Sequence, residues 1–230
     1  MRKKNPTAIC DQFKSEMDGL VTFRADLISC AVSASNQSLL AALVFHRGFV
    51  SLESFLSAWF LAAINRDSSQ FVSHREQKIR DLVKSEISQW DESKLSYSPP
   101  KHISVADLTS LVDPDDQNIT FYDYEAIKKS ADKWLAPAYR AKVDAINYPL
   151  PKIYRAAKTI RNCIAHQSQS SFDKMNSTLT ALPNHLVCGQ LRNHVRSVNN
   201  VGVHLKAVFD GKTRAEIYIE QFKRIADKLG

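Results

Sequence analysis

Glycine is scarce, with six in 230 residues. It supplies the left-handed conformations that tight turns need, so this content disfavours a turn-rich β architecture and favours helices. Cysteine is sparse too. Cys10, Cys30, Cys163 and Cys188 lie far apart in the chain and form no pair with metal-ligand spacing. Their even number leaves disulfides open, but the basic start Met1-Arg2-Lys3-Lys4-Asn5-Pro6 is not followed by an apolar signal core. Free thiols in a reducing cytoplasm are therefore the expectation. The greasiest stretch, residues 39–64, is broken by His46, Arg47 and Glu53. It reads as a buried helix and not as a membrane span. Internal repeats, low-complexity tracts and flexible linkers are missing, which points to one helical domain over 1–230 with a loop-rich insertion around 91–122.

The apolar fraction of 44% and charged fraction of 24% are those of a soluble globular chain. The formal charge of +7 is unevenly spread. Residues 140–230 hold 15 Lys and Arg against 6 Asp and Glu, a net of +9, and residues 1–139 carry a net of −2. Such asymmetry suits either a polyanion-binding face, where Lys and Arg replace phosphate counterions, or a merely soluble basic surface.

Helical periodicity runs through the first two-thirds of the chain. Ile9, Phe13, Met17, Leu20, Leu27 and Ala31 mark a long first helix, and residues 39–64 a central helix apolar nearly all round. Val72, Ile79, Val83, Ile87 and Trp90 suggest one stripe across a third. Tyr97-Ser98-Pro99-Pro100 and Asp113-Pro114-Asp115-Asp116 signal loops. Tyr124, Ile127, Ala131 and Trp134 mark a shorter helix. After Pro151 comes a helix with the stripe Ile153, Ala157, Ile160 and Ile164. Val201, Val203, Leu205 and Ala207 alternate with Gly202, His204 and Lys206, which predicts a short strand or extended loop before the turn Asp210-Gly211. A last helix from Thr213 would bury Ile219, Phe222, Ile225 and Leu229. The fold class expected is all-α, a helical bundle with at most one short strand or hairpin near 200–210.

The pattern richest in chemistry is Arg161-Asn162-Cys163-Ile164-Ala165-His166. With 13 Arg, 11 Asn and 7 His, a shuffled chain would hold about 0.02 copies of Arg-Asn-x-x-x-His, which sets it apart from a lone histidine. Histidine titrates near neutrality and serves as base or acid. Arginine is permanently charged, with a planar fork matched to phosphate oxygens. An asparagine amide can orient either an imidazole or a phosphate. Asp144 is the only acid between 140 and 172, so no carboxylate cluster for a metal adjoins the motif.

With Arg161, Asn162 and His166 at four intervening residues, and a long apolar helix carrying Ser51-Leu52-Glu53-Ser54 ahead of the motif helix, the sequence resembles the HEPN superfamily (higher eukaryote and prokaryote nucleotide-binding domains). The resemblance implies a metal-independent endoribonuclease without cofactor, of the toxin or antiviral-defence type. It implies a homodimer whose motifs meet at the interface, with RNA as substrate and an antitoxin or other defence-system protein as partner. It also implies a motif-facing role for Glu53; an exposed Glu on a mostly buried helix is the alternative, and His46 and Arg47 share that ambiguity. Some family members only bind nucleotides or have lost activity, so a non-catalytic module that binds RNA, nucleotide or a partner protein is the rival reading. A DNA-binding regulator is poorer, because no helix-turn-helix is evident.

On an ideal helix Arg161 and His166 lie about 140° apart, so they converge only if the helix bends or ends near Ala165 or a second subunit completes the site. Lys158 and Arg155, one and two turns before Arg161, are candidates for tracking RNA phosphates or for a solvated basic face. Arg192, His194, Arg196, His204 and Lys206 suggest a second basic patch. Phe121, Tyr122 and Tyr124 read as core aromatics rather than base-stacking groups.

Overall fold

A computed structural model describes residues 3–30, 33–98, 103–112, 118–183, 186 and 197–230. Ala31, the two loop signals from Pro99 and Asp113 onward, Cys188, Arg192, His194 and Arg196 fall wholly or largely outside them. The described chain is all-α apart from one small hairpin. In order, its elements are α1 (Pro6–Ser29), α2 (Ala34–Arg66), α3 (Ser69–Glu86), α4 (Gln89–Lys94), α5 (Val105–Val112), α6 (Tyr124–Trp134), α7 (Pro137–Asp144), α8 (Leu150–His166), α9 (Gln169–Thr180), α10 (Val201–Lys206), β1 (Val208–Phe209), β2 (Lys212–Thr213) and α11 (Arg214–Leu229).

Local chemistry starts these helices. The Asn5, Ser33, Asp123, Asn200 and Thr213 side chains each accept a backbone N–H in the first turn that would otherwise lack a partner. Ser168 and Thr213 close reciprocal capping boxes with Ser171 and Glu216. Gly211, with φ 78°, turns the hairpin in which Val208 faces Thr213 and Phe209 faces Lys212.

Helix α2 is the centre of the core, packed against α1, α5, α8, α10 and α11. Phe45, Phe49, Leu52, Trp59 and Phe60 are fully buried on it, each contributing roughly 1.5–3 kcal/mol by leaving water. Phe45 and Phe49 meet Phe222 of α11, and Phe49 meets Tyr154 of α8. The Trp59 indole donates to the Leu229 carbonyl at 3.1 Å, fastening the end of α11 to α2. By length and composition α2 is apolar enough to cross a membrane; 56% of its most apolar window is buried within the fold.

The expected stripes of α6, α8 and α11 and the first half of that of α1 point inward: Phe13 and Met17, Ile127 and Ala131, Ile153, Ala157 and Ile160, and Ile219, Phe222, Ile225 and Leu229 are all buried, whereas Leu27 near the end of α1 is exposed. Two expectations need correction and one needs an addition. The stripe from Val72 to Trp90 does not hold, because α3 ends at Glu86 and Ile87 and Trp90 are 68% exposed. The loop-rich 91–122 segment also contains α5, which buries Leu108. And 201–206 is a helix and not a strand.

Helix α10 forms despite its alternating sequence because its burial runs at helical spacing. Val201, Gly202, His204 and Leu205 are covered, and the Asn200 side chain caps the Val203 N–H at 3.0 Å. Gly202 lies against α2, where an added Cβ would come within 2.4 Å of the Ser38 carbonyl oxygen. Backbone, unlike a side-chain tip, does not swing aside. Gly202→Ala is therefore expected to destabilise the fold by about 1–3 kcal/mol, read as a lower urea midpoint at unchanged slope; an unchanged midpoint would show that α10 relaxes off α2.

Candidate active site

The motif sits on the last turns of α8. Eight residues of that helix are buried, from Leu150 to Cys163, leaving Arg155, Asn162 and His166 along a side that faces outward. Their separations of seven and eleven residues bring Asn162 and His166 each within roughly 20° of Arg155 around the helix axis, on opposite sides of it. The helix stops at His166 because Gln167 adopts a left-handed conformation, φ 49°, while its N–H still reaches Cys163 O. Ser168 then begins α9, which packs back along α8.

Glu53 of α2 faces the motif. One carboxylate oxygen lies 3.4 Å from Lys158 Nζ and the other 3.2 Å from Arg161 Nη2. The side chains are 16%, 13% and 28% exposed for Glu53, Lys158 and Arg161, so the group is largely screened from water and open at the arginine. Arg161 Nη1 donates to Asn162 Oδ1 at 3.0 Å. A carboxylate from another helix and an amide from the next residue therefore fix the plane of the guanidinium. Its Nε is buried with no hydrogen-bond partner among the described residues.

The surrounding groups complete a polar cluster in an apolar setting. Lys158 Nζ also donates to the Phe121 carbonyl, which accepts from the Tyr154 hydroxyl at 3.4 Å. Burial, then the Glu53 carboxylate, raises the pKa of Tyr154, which keeps its phenol neutral. His46, two turns before Glu53 on α2, is half-buried. Burial first and the Arg161 charge second lower its pKa, against the pull of Glu53, so the neutral imidazole is favoured.

Of the residues singled out in sequence, the structure brings together Glu53, Lys158, Arg161 and Asn162, with His46 beside them. His166 stands apart. It is exposed, and no hydrogen bond or ion pair joins it to that cluster among the described residues. The straight course of α8 to His166 keeps the two halves of the motif divergent within one chain. Lys158 is held by Glu53 and Phe121 O and does not point along the outer face, whereas Arg155 does. Arg47 belongs elsewhere, paired with Glu16 at 2.9 Å. Within the supposed second basic patch, His204 is buried and Lys206 donates to Ala34 O, so these two do not form a free surface cluster.

The aromatics divide. Phe121 and Tyr124 are buried, as expected, but Tyr122 is 70% exposed. Asp123 caps α6, so the chain reverses character between Phe121 and Tyr124 and turns Tyr122 outward. Lys174, which sequence reading passed over, reaches Tyr122 from α9 with Nζ 3.0 Å from the hydroxyl. Nothing in the sequence marks Lys174; only the packing of α9 along α8 brings it there.

Beside the motif the surface is apolar. A groove of about 890 Å³ runs between Leu39, Ala42 and Leu43 of α2, Ile164 of α8, Phe172 of α9 and α10. Leu43 also borders a second hollow of about 530 Å³ with Phe23, Leu27 and His46. Leu39, Leu43 and Phe23 are 60%, 55% and 53% exposed. Cys10 and Cys163 are buried free thiols and Cys30 is an exposed one; burial pushes Cys10 up to about 11 and also raises Cys163, so both are poor nucleophiles. Among the described residues no three His, Cys, Asp or Glu side chains group as metal ligands. Family models, curated proteins and solved structures contain no match to this chain.

Proposed function

We propose that the protein is a metal-independent endoribonuclease of HEPN type, acting as a cytoplasmic homodimer in a toxin or antiviral-defence role. The observation that carries the reading is the arrangement of Arg161: a guanidinium held by Glu53 and Asn162 yet partly open to solvent, next to the outer helix side that carries Asn162 and an exposed histidine. Such a group is positioned for a phosphate before the phosphate arrives, which is what stabilisation of developing charge requires.

The chemistry follows from the residue types. A base takes the proton of the ribose 2′-hydroxyl, whose oxygen attacks the adjacent phosphorus. The bond to the 5′-oxygen breaks, and an acid returns a proton to that oxygen. Arg161 steadies the charge on the phosphorane oxygens, Asn162 holds Arg161, and His166 handles protons. Because His166 and Arg161 diverge on one α8, the imidazole facing a given Arg161 comes from a second copy. The exposed Leu39, Leu43 and Phe23 beside the motif are the apolar surface that a two-fold dimer would cover. An antitoxin or other defence-system protein is the regulator this reading calls for.

The separation of His166 from Arg161 is also the observation that favours a non-catalytic module, in which Glu53, Lys158 and Arg161 merely pin α2 to α8. One experiment divides the two readings. Purified protein with mixed RNA in excess chelator is expected to yield fragments with 2′,3′-cyclic phosphate and free 5′-hydroxyl ends, and RNA with a 2′-methoxy group at the cut site is expected to resist. Cleavage that needs magnesium and leaves 5′-phosphates would exclude this mechanism, and clean protein that cuts no RNA would establish the non-catalytic module.

A further inference from the structure

Arg155 stands some 10 Å from Asn162 along the outer face of α8, and an exposed aromatic ring with a cation at its hydroxyl lies on the segment that packs there. The Phe121 carbonyl is tied to Tyr154 and Lys158, four residues apart on α8, which anchors the backbone immediately before Tyr122. Tyr122 itself is 70% exposed. Lys174 Nζ lies 3.0 Å from its hydroxyl and 5.2 Å from the ring centroid. Those two distances place the ammonium past the oxygen end of the ring and not above its face, so the ring surface stays open. Lys174 first, with Arg155 as a weaker contributor, lowers the phenol's pKa. Asp123 opposes that shift. Arg155 is exposed on α8 and follows Tyr154, whose hydroxyl holds the Phe121 carbonyl just ahead of Tyr122, so the two chain segments adjoin.

An open aromatic face beside Lys174, with the exposed Arg155 on the adjoining helix and neither cation in a salt bridge among the described residues, is the pairing that unpaired nucleotides recognise. A base stacks on the ring, and the flanking phosphates meet the charges. We propose that Tyr122, Lys174 and Arg155 form a subsite for one unpaired nucleotide of single-stranded RNA, which delivers the strand along α8 toward Asn162 and Arg161. The proposal rests on the reading of RNA as substrate. It adds a preference that the motif does not carry: single strands over duplex, because a paired base cannot present its face to Tyr122.

The test is fluorescence anisotropy with a labelled single-stranded oligoribonucleotide carrying 2′-methoxy groups, so that binding is read without cleavage, beside a duplex of the same length. Tyr122→Ala is expected to weaken single-strand binding about tenfold, the size of one lost stacking contact, and Tyr122→Phe to restore most of it. Arg155→Ala should lower the slope of log affinity against log salt by about one phosphate contact. Single-strand binding unchanged by Tyr122→Ala, or duplex bound as tightly as single strand, would overturn the subsite. Cleavage that persists alongside Tyr122-independent binding would reject the subsite and leave the ribonuclease reading standing. Tyr122-dependent binding by a protein that cuts no RNA would do the reverse.

Discussion

Replacing Arg161 or His166 with alanine is expected to lower the single-turnover rate of RNA cleavage by about a hundredfold or more, the usual loss for a missing charge stabiliser or proton-transfer group. Both variants should keep the helical circular-dichroism spectrum, because Ile153, Ala157 and Ile160, which seat α8, are untouched. The geometry adds a sharper expectation. If each site takes Arg161 from one chain and His166 from the other, an Arg161→Ala/His166→Ala mixed dimer holds one complete site and one that lacks both groups. Equal mixing, with half of the dimers mixed and one of two sites intact in each, should then recover about a quarter of wild-type activity. Mixed dimers detected by sedimentation but without activity would show that the two residues do not meet across an interface.

Glu53→Ala is expected to lower both stability and rate, with the largest stability loss of these variants. It removes the one carboxylate that Lys158 and Arg161 share and leaves two cations facing each other in a site mostly closed to water. Breaking a buried pair from one side typically costs about 3–5 kcal/mol; with Arg161 partly open to solvent, about 2–3 kcal/mol is expected. Adding Lys158→Met should return much of that stability, since the orphaned ammonium goes with it, but not the activity, since Arg161 is still unheld. Glu53→Gln should fold better than Glu53→Ala but less well than wild type, and cleave more slowly, because an amide is uncharged and offers an oxygen to only one of the two cations. Denaturant midpoints and rates measured together separate these roles. Full activity in Glu53→Gln would show that the carboxylate is structural only.

How far these features can be read from sequence depends on what specifies each. Helix α8 is legible because its stripe, its early proline and its polar outer side agree, and α11 because Thr213 and Glu216 announce its start. Glu53 stands out because a carboxylate amid Leu52, Phe55 and Leu56 needs a partner. That the partner is Arg161, shared with Lys158, depends on α2 crossing α8 far along the chain, which no local pattern encodes. Lys158 and Arg155 look alike in sequence, yet one is drawn inward by Glu53 and the Phe121 carbonyl while the other faces water.

Helix α10 shows the opposite failure. Alternation over a few residues is compatible with a strand, and what favours a helix at 201–206 is burial at helical spacing, with Gly202 seated against the Ser38 backbone more than 160 residues away. By itself the sequence determined the helical class, the placing of Arg161, Asn162 and His166 on one helix, and the basic character of the last two-fifths of the chain. These are set by composition, spacing and capping, all of them local. Only the tertiary structure decided which cation Glu53 orients, that His166 stays apart from Arg161, and that Tyr122 alone of three neighbouring aromatics faces solvent beside Lys174. Those outcomes depend on how distant helices cross, and side chains separated by long stretches of chain acquire an interaction energy only once packing has brought them together.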